Sequence, residues 1–137
     1  MRIKYTKPEL VDISQSSRIA FARQFRFMTQ DDVSDKLGLT GECKRRTMTR
    51  YEKGNRNPKD DRTSEIAKIL DININAIKKH DYKEPIDLLY TLMWLEELIQ
   101  NIIYQNYKRN QKQNKSTILM NCLSSLSNKI YLKIIIE

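Results

Sequence analysis

An all-α protein is what this sequence predicts, and three observations carry the prediction. Only three glycines and three prolines interrupt 137 residues, too few to punctuate many short strands. Apolar residues recur at spacings of three and four over much of the chain, the period of helices with one buried side. With 39% apolar and 31% charged residues, the chain can build one real core with an appendage, but not two full-sized domains.

The elements follow in order. Residues 1–13 contain Pro8 and no clear period, and read as a loose N-terminal arm. From Ser16 to Phe27, Ile19, Ala20, Phe21, Ala22 and Phe25 mark a first amphipathic helix. Thr29 precedes Gln30-Asp31-Asp32, an N-cap with an acid three residues on, so a second helix starts there and runs to Leu37, turning Val33 and Leu37 inward. Gly38 ends it. A third, short and basic helix spans Lys44 to Lys53 with Met48 and Tyr51 on one side. Gly54-Asn55-Arg56-Asn57-Pro58 is turn chemistry, with Gly54 in the left-handed region and Pro58 barring continuation. A fourth helix covers Asp61 to Leu70, burying Ile66, Ala67, Ile69 and Leu70, and a fifth covers Asn75 to Lys79.

Pro85 suits the first position of a long helix ending near Lys108. In it Leu88, Leu92, Leu95, Ile99 and Ile102 step by four and three, with Leu89, Met93, Leu98 and Ile103 widening the stripe. The stripe can cover the core of residues 16–80 or pair with its copy in a second subunit, making residues 86–107 a homodimer seam. Residues 110–137 form a polar linker and a poorly defined tail, in which Ile130 to Ile136 is β-branched enough for a strand. The organisation is thus an arm (1–13), a five-helix domain (14–82), a long amphipathic helix (83–109), and a linker with tail (110–137).

Net charge is +8, which favours polyanionic partners, nucleic acid first and anionic membrane second. Its location matters more. Residues 1–80 hold 18 Lys and Arg against 11 Asp and Glu, and residues 81–137 hold 7 against 6. The window Lys44 to Lys59 has seven cations and a single acid, Glu52. Cys43 and Cys122 lie far apart without a CxxC pattern, and the chain has one His, so neither a disulfide framework nor a zinc site is indicated and a reducing cytoplasm is the natural setting. No apolar run approaches the roughly 20 residues of a membrane span. No Gly-rich phosphate loop, paired His and carboxylate, or metal spacing points to an enzyme, a cofactor or a small-molecule effector.

Two helices locked at a steep angle let one cross DNA phosphates while the other presents side chains to the major groove. Such a lock needs a small residue at the crossing (Ser34), a turn-permissive glycine (Gly38) and apolar anchors on both sides (Val33, Leu37, Leu39, Met48, Tyr51), and all occur in order. The segment Arg23…Thr29-Gln30-Asp31-Asp32-Val33-Ser34…Leu37-Gly38-Leu39-Thr40…Thr49-Arg50-Tyr51-Glu52-Lys53-Gly54-Asn55-Arg56-Asn57-Pro58 resembles the lambda repressor/Cro-type helix-turn-helix family, also called the XRE family. The resemblance covers about Ser16 to Ile77.

That resemblance implies a lambda-repressor-like five-helix DNA-binding domain and a role for each matching residue. Gln30 takes a phosphate at the start of the second helix, with Thr29 and Lys44 beside it. Arg45, Arg46, Thr49 and Arg50 occupy the base-reading positions, and arginine pairs bidentately with guanine O6 and N7. Lys53, Asn55 and Arg56 match positions that hold the phosphate backbone. Glu52, an acid that DNA would repel, pairs internally with Arg23, costing about 3 kcal/mol to break from one side if buried. Thirteen residues separate Gly38 from Glu52, four more than in the commonest members. Four residues are about one helical turn: they either lengthen the turn or extend the third helix at its start, which would bring Glu42, Cys43 and Lys44 towards DNA.

Of the other chemically suggestive residues, Cys43 reads as an ordinary small residue, His80 as a surface residue near a helix end, and Tyr90, Trp94 and Tyr104 as packing. The functional expectation is a sequence-specific double-stranded DNA-binding transcription regulator, a repressor of phage or mobile-element type by family habit. The competing readings are an antitoxin-like or adaptor protein gripping a protein partner through its C-terminal region, and a nonspecific nucleic-acid binder.

Overall fold

The computed structural model describes residues 7–41 and 44–110. Among them the chain forms six helices and no strand: α1 Gln15–Phe25, α2 Gln30–Lys36, α3 Lys44–Glu52, α4 Asp60–Leu70, α5 Ile74–Ile77 and α6 Pro85–Asn110. The expected strand at 130–136, the tail from 111, the first six residues of the arm, and Glu42 with Cys43 lie outside the described residues. No helix among the described residues is long and apolar enough to cross a membrane.

Local chemistry sets the helix ends. Ser14 caps α1, its hydroxyl accepting from Ser17 N. At α2, Thr29 Oγ1 accepts from Asp32 N at 3.1 Å while the Asp32 carboxylate accepts from Thr29 N at 2.7 Å. This reciprocal cap satisfies two backbone donors that a helix start otherwise leaves open. Gly38 at φ 68° closes α2, with Leu39 N returning to Ser34 O at 3.0 Å. Gly54 closes α3 in the same left-handed conformation, φ 72°, and a Cβ there would stand 3.3 Å from Ser16 Oγ. Glycine is favoured there by the backbone angle, and any larger residue would also oblige Ser16 Oγ to give by a few tenths of an ångström.

The core is one cluster. Ile19, Phe21 and Ala22 of α1, Val33 of α2, Met48 and Tyr51 of α3, Ile66, Ala67 and Leu70 of α4, and Ala76 and Ile77 of α5 pack together with Tyr90, Met93 and Trp94 of α6. Trp94 anchors α6: its ring meets Phe21 edge-on at 5.5 Å, and its Nε1 donates to Ala76 O at 2.8 Å. Asp87 secures the helix start. Its Oδ2 accepts from Asp81 N and Tyr82 N, and Lys78 Nζ lies 2.8 Å from Oδ1. The hydrogen bond from Lys78 is the chief reason its carboxyl is held down at about 2.

The structure departs from the sequence expectation at three places. First, the side of α6 that meets the core is Asp87, Tyr90, Met93, Trp94 and Glu97, whereas Leu88, Leu92, Ile99 and Ile102 of the leucine stripe are each about half-exposed. Residues four and three apart share a face, so α6 carries two apolar faces. Two acids within the inner one, Asp87 and Glu97, disguise it in the sequence; lysines 78 and 7 pair with them once the chain is folded. Second, the described part of the arm is docked: Pro8 and Leu10 are buried, Lys7 Nζ lies 2.7 Å from Glu97, and Gln105 donates to Glu9. Third, His80 is only partly exposed and bonded on both ring nitrogens, Nδ1 at 2.9 Å from Thr91 Oγ1 and Nε2 within 3.0 Å of both Asn75 O and Arg18 Nη1.

Candidate nucleic-acid interface

Met48 and Tyr51 fix the rotation of α3, because both are buried. At about 100° per residue, Arg46, Arg50 and Lys53 then fall within about 60° of one another on the side opposite Met48. All three are exposed, as is Arg45 on the flank. Among the described residues none offers a hydrogen bond or ion pair to the side chains of Arg45, Arg46, Arg50, Lys53 or Arg56. Like charges at (i, i+4) cost an isolated helix a few tenths of a kcal/mol, so Arg46 and Arg50 stand together at the expense of helix stability. Asn55 and Arg56 continue the exposed basic surface into the turn after α3, where Arg56 N donates to Arg50 O at 3.2 Å.

The acid of this segment is turned away. Glu52 accepts from Arg23 twice, Nε to Oε1 at 2.5 Å and Nη2 to Oε2 at 3.0 Å, and from Gln30 Nε2 at 2.7 Å. The side chains are 11% and 7% exposed for Arg23 and Glu52. Arg23 Nη1 also donates to Met28 O at 2.7 Å. One carboxylate thereby ties α1, α2 and α3 together, and its charge is compensated on the inner side of the helix. The outer side is left wholly cationic.

Several residues expected at the interface make contacts within the protein. Thr49 Oγ1 lies 3.0 Å from both Gln30 Oε1 and Arg45 O, so its single proton stays inside the α2–α3 contact rather than facing outward as a base reader. Gln30 spends its oxygen on Thr49 and one N–H on Glu52, and its second N–H has no partner among the described residues. Thr29 gives both its N–H and its hydroxyl proton to the Asp32 carboxylate, which also sets an acid at the start of α2, where a phosphate was expected. The two hydrogen bonds from Thr29 hold the Asp32 carboxyl below its ordinary range. Lys44 reaches back to Asp35 at 2.7 Å, a contact that raises its ammonium above the usual lysine range. Both partners are solvent-accessible, and such a pair contributes little to stability.

Ser34 sets the spacing of α2 and α3. It is fully buried at their crossing, with Oγ 2.7 Å from Gln30 O and 3.2 Å from Lys44 O. The described part of α3 starts at Lys44; Glu42 and Cys43, which an extension of the helix would include, lie outside the described residues. Arg62 Nη1 donates to Leu37 O at 3.3 Å, fastening the end of α2 to α4. Nothing in local spacing marks Asp35 as the partner of Lys44, since that pair spans a turn whose course the residue pattern leaves open. Gln30 and Thr49 were equally hidden: each is polar and suited to DNA, and only the approach of the two helices turns them on one another.

Comparisons with family models, curated proteins and solved structures return no match. Among the described residues no group of three or more His, Cys, Asp or Glu is placed to hold a metal ion.

Proposed function

We propose that this chain is a sequence-specific double-stranded DNA-binding transcription regulator of the lambda repressor/Cro type, which inserts α3 into the major groove. It is a binding protein rather than an enzyme, and α2, the turn and α3 act as its helix-turn-helix. The observation that carries the reading is the outer face of α3: Arg46, Arg50 and Lys53 are exposed together while Glu52 is held inside by Arg23. A helix fits the major groove, and arginine is suited to guanine edges there. Arg46 and Arg50 are the readers, with Arg45 at the flank. Lys53, Asn55 and Arg56 hold the backbone, and Thr49 positions Gln30.

The test is selection of bound sequences from a random duplex library, followed by binding of Arg46→Ala and Lys53→Ala. The expected result is one shared motif, relaxed at one base position by Arg46→Ala at a cost of about 1–3 kcal/mol. Lys53→Ala should weaken all sequences alike and lower the salt slope by about one. Uniform weak binding with no motif would leave only a nonspecific nucleic-acid binder.

A further inference from the structure

We propose that the cavity enclosed by the start of α1, the turn after α3 and the connection from α5 to α6 binds a small organic anion, a carboxylate or phosphate ester with a flat apolar body. The cavity measures about 420 Å3, within the range of small-ligand sites. Arg18 and Lys79 line it, and no Asp or Glu among the described residues does. Ile13, Tyr82 and Trp94 supply apolar surface for the body of the ligand. The first turn of α1, Ser14 to Ser16, lines the same space, with the N–H groups of Gln15 and Ser16 unmatched among the described residues, and a helix start favours negative charge.

Arg18 is the residue that calls for an anion. It is 4% exposed, yet no carboxylate among the described residues pairs with it. Its partners are neutral: Nε donates to Ser14 O at 3.4 Å, Nη1 to Ala76 O and Nη2 to Lys78 O, both at 3.0 Å, and Nη1 lies 3.0 Å from His80 Nε2. A guanidinium has five N–H groups, so one on Nη2 is left without an acceptor among the described residues. Asp87 acts on this charge only from a distance and is itself held by Lys78. Burying a cation without a counter-ion is costly, and burial is the chief reason the Arg18 pKa is drawn down to about 10.

His80, on the same wall, is left in conflict while the cavity is empty. Thr91 Oγ1 gives its proton to Asp87 O at 2.8 Å and so accepts from His80 Nδ1–H at 2.9 Å. The neutral ring then has a bare Nε2, which accepts from Arg18 but meets the lone pairs of Asn75 O at 2.8 Å. Arg18 can only donate and Asn75 O can only accept, so one nitrogen cannot satisfy both. The charged groups around the ring are Arg18 of α1, Lys78 and Lys79 beside it in the chain, and Asp87 of α6. An anion gives Arg18 another acceptor and offsets the cations, which favours a proton on Nε2 for Asn75 O. Binding is therefore linked to uptake of one proton from solvent. Gly54 and Asn57 also line the cavity and flank Asn55 and Arg56, so its occupancy acts on their backbone contacts; that consequence alone rests on the DNA-binding reading.

The experiment is an NMR titration of the full chain, without DNA, with phenyl phosphate and with benzoate, and with benzyl alcohol as the uncharged control. His80 is the single histidine and Trp94 the single tryptophan, so one imidazole and one indole signal report on the cavity. Both anions should shift the two signals to saturation with a dissociation constant of about 1 mM or below, while benzyl alcohol should not. Bound phenyl phosphate should move the His80 titration midpoint up by about one pH unit. Lys79→Glu, at an exposed position, should weaken both anions at least about 10-fold; if circular dichroism shows it to disturb folding, Lys79→Gln supplies the comparison. No saturable shift at about 20 mM anion, equal binding of benzyl alcohol, or unchanged affinity in the Lys79 variant overturns the site, and a fixed His80 midpoint overturns the proton linkage. A chain that binds the anions but no duplex keeps the site and loses the DNA reading, so the two can fail separately.

Discussion

Replacing Glu52 by alanine tests whether one carboxylate organises the surface of α3. In the wild type it accepts three hydrogen bonds, two from Arg23 and one from Gln30. Removal leaves the Arg23 guanidinium, 11% exposed in the native protein, with Met28 O as its remaining hydrogen-bond acceptor. Stranding a buried charge costs about 3–5 kcal/mol. The lower end applies because Arg23 keeps that carbonyl and lies near enough to the surface to be rehydrated. About 3 kcal/mol is a large share of the 5–15 kcal/mol that hold a domain folded. Arg23→Ala should cost a similar amount, since Glu52 would be stranded in turn. Arg23→Ala/Glu52→Ala should cost much less than the two losses added, because neither charge is left alone. Urea denaturation followed by the fluorescence of Trp94, the single tryptophan, measures all three. If Glu52→Ala loses less than 1 kcal/mol, or if the two single losses simply add, the argument that this pair fixes α1 against α3 is refuted.

Two further predictions concern spacing and protonation. Ser34→Leu should destabilise by about 1–3 kcal/mol through overpacking at the α2–α3 crossing, and should weaken duplex binding beyond that loss by shifting α3; a melting curve and a binding titration on one preparation check both. His80 is held below its ordinary pKa, first by burial and then, among the charges, by Arg18 and Lys78 opposed by Asp87. Its neutral form is thus the one the fold prefers, with the stabilisation complete above the unfolded value of about 6.5 and lost as pH falls through the lower folded value. Urea midpoints should decline as pH falls below about 6.5, and His80→Gln should flatten that decline; an unchanged slope would place the titration elsewhere.

Helix order and type were legible in the residues because each signal is local. Thr29 with Asp32 marks the start of α2, Gly38 and Gly54 mark its end and that of α3, and Pro85 marks the start of α6, since caps and left-handed turns are decided within four or five residues. Val33, Met48, Tyr51, Ile66 and Leu70 could be read as core from their spacing alone. The cationic character of α3 was equally plain from Lys44 to Lys59.

Tertiary structure alone decided where several polar and apolar groups point. Gln30 and Thr49 face each other, and Lys44 turns to Asp35, because α3 packs alongside α2. The arm looked loose until Leu10 found the core and Lys7 found Glu97. On α6 the period was legible while the role of the leucine stripe, core cover or seam, stayed open: a helical repeat gives the relative phase of its residues, not which phase meets the core. Trp94 settled that by reaching Phe21 and Ala76 O, with the buried acids tolerated only where lysines from distant segments arrive to meet them. Local residue patterns therefore specify the set of helices and the charge they carry. Which face each one buries was decided by contacts between residues far apart in the chain, a physical quantity that local spacing does not contain.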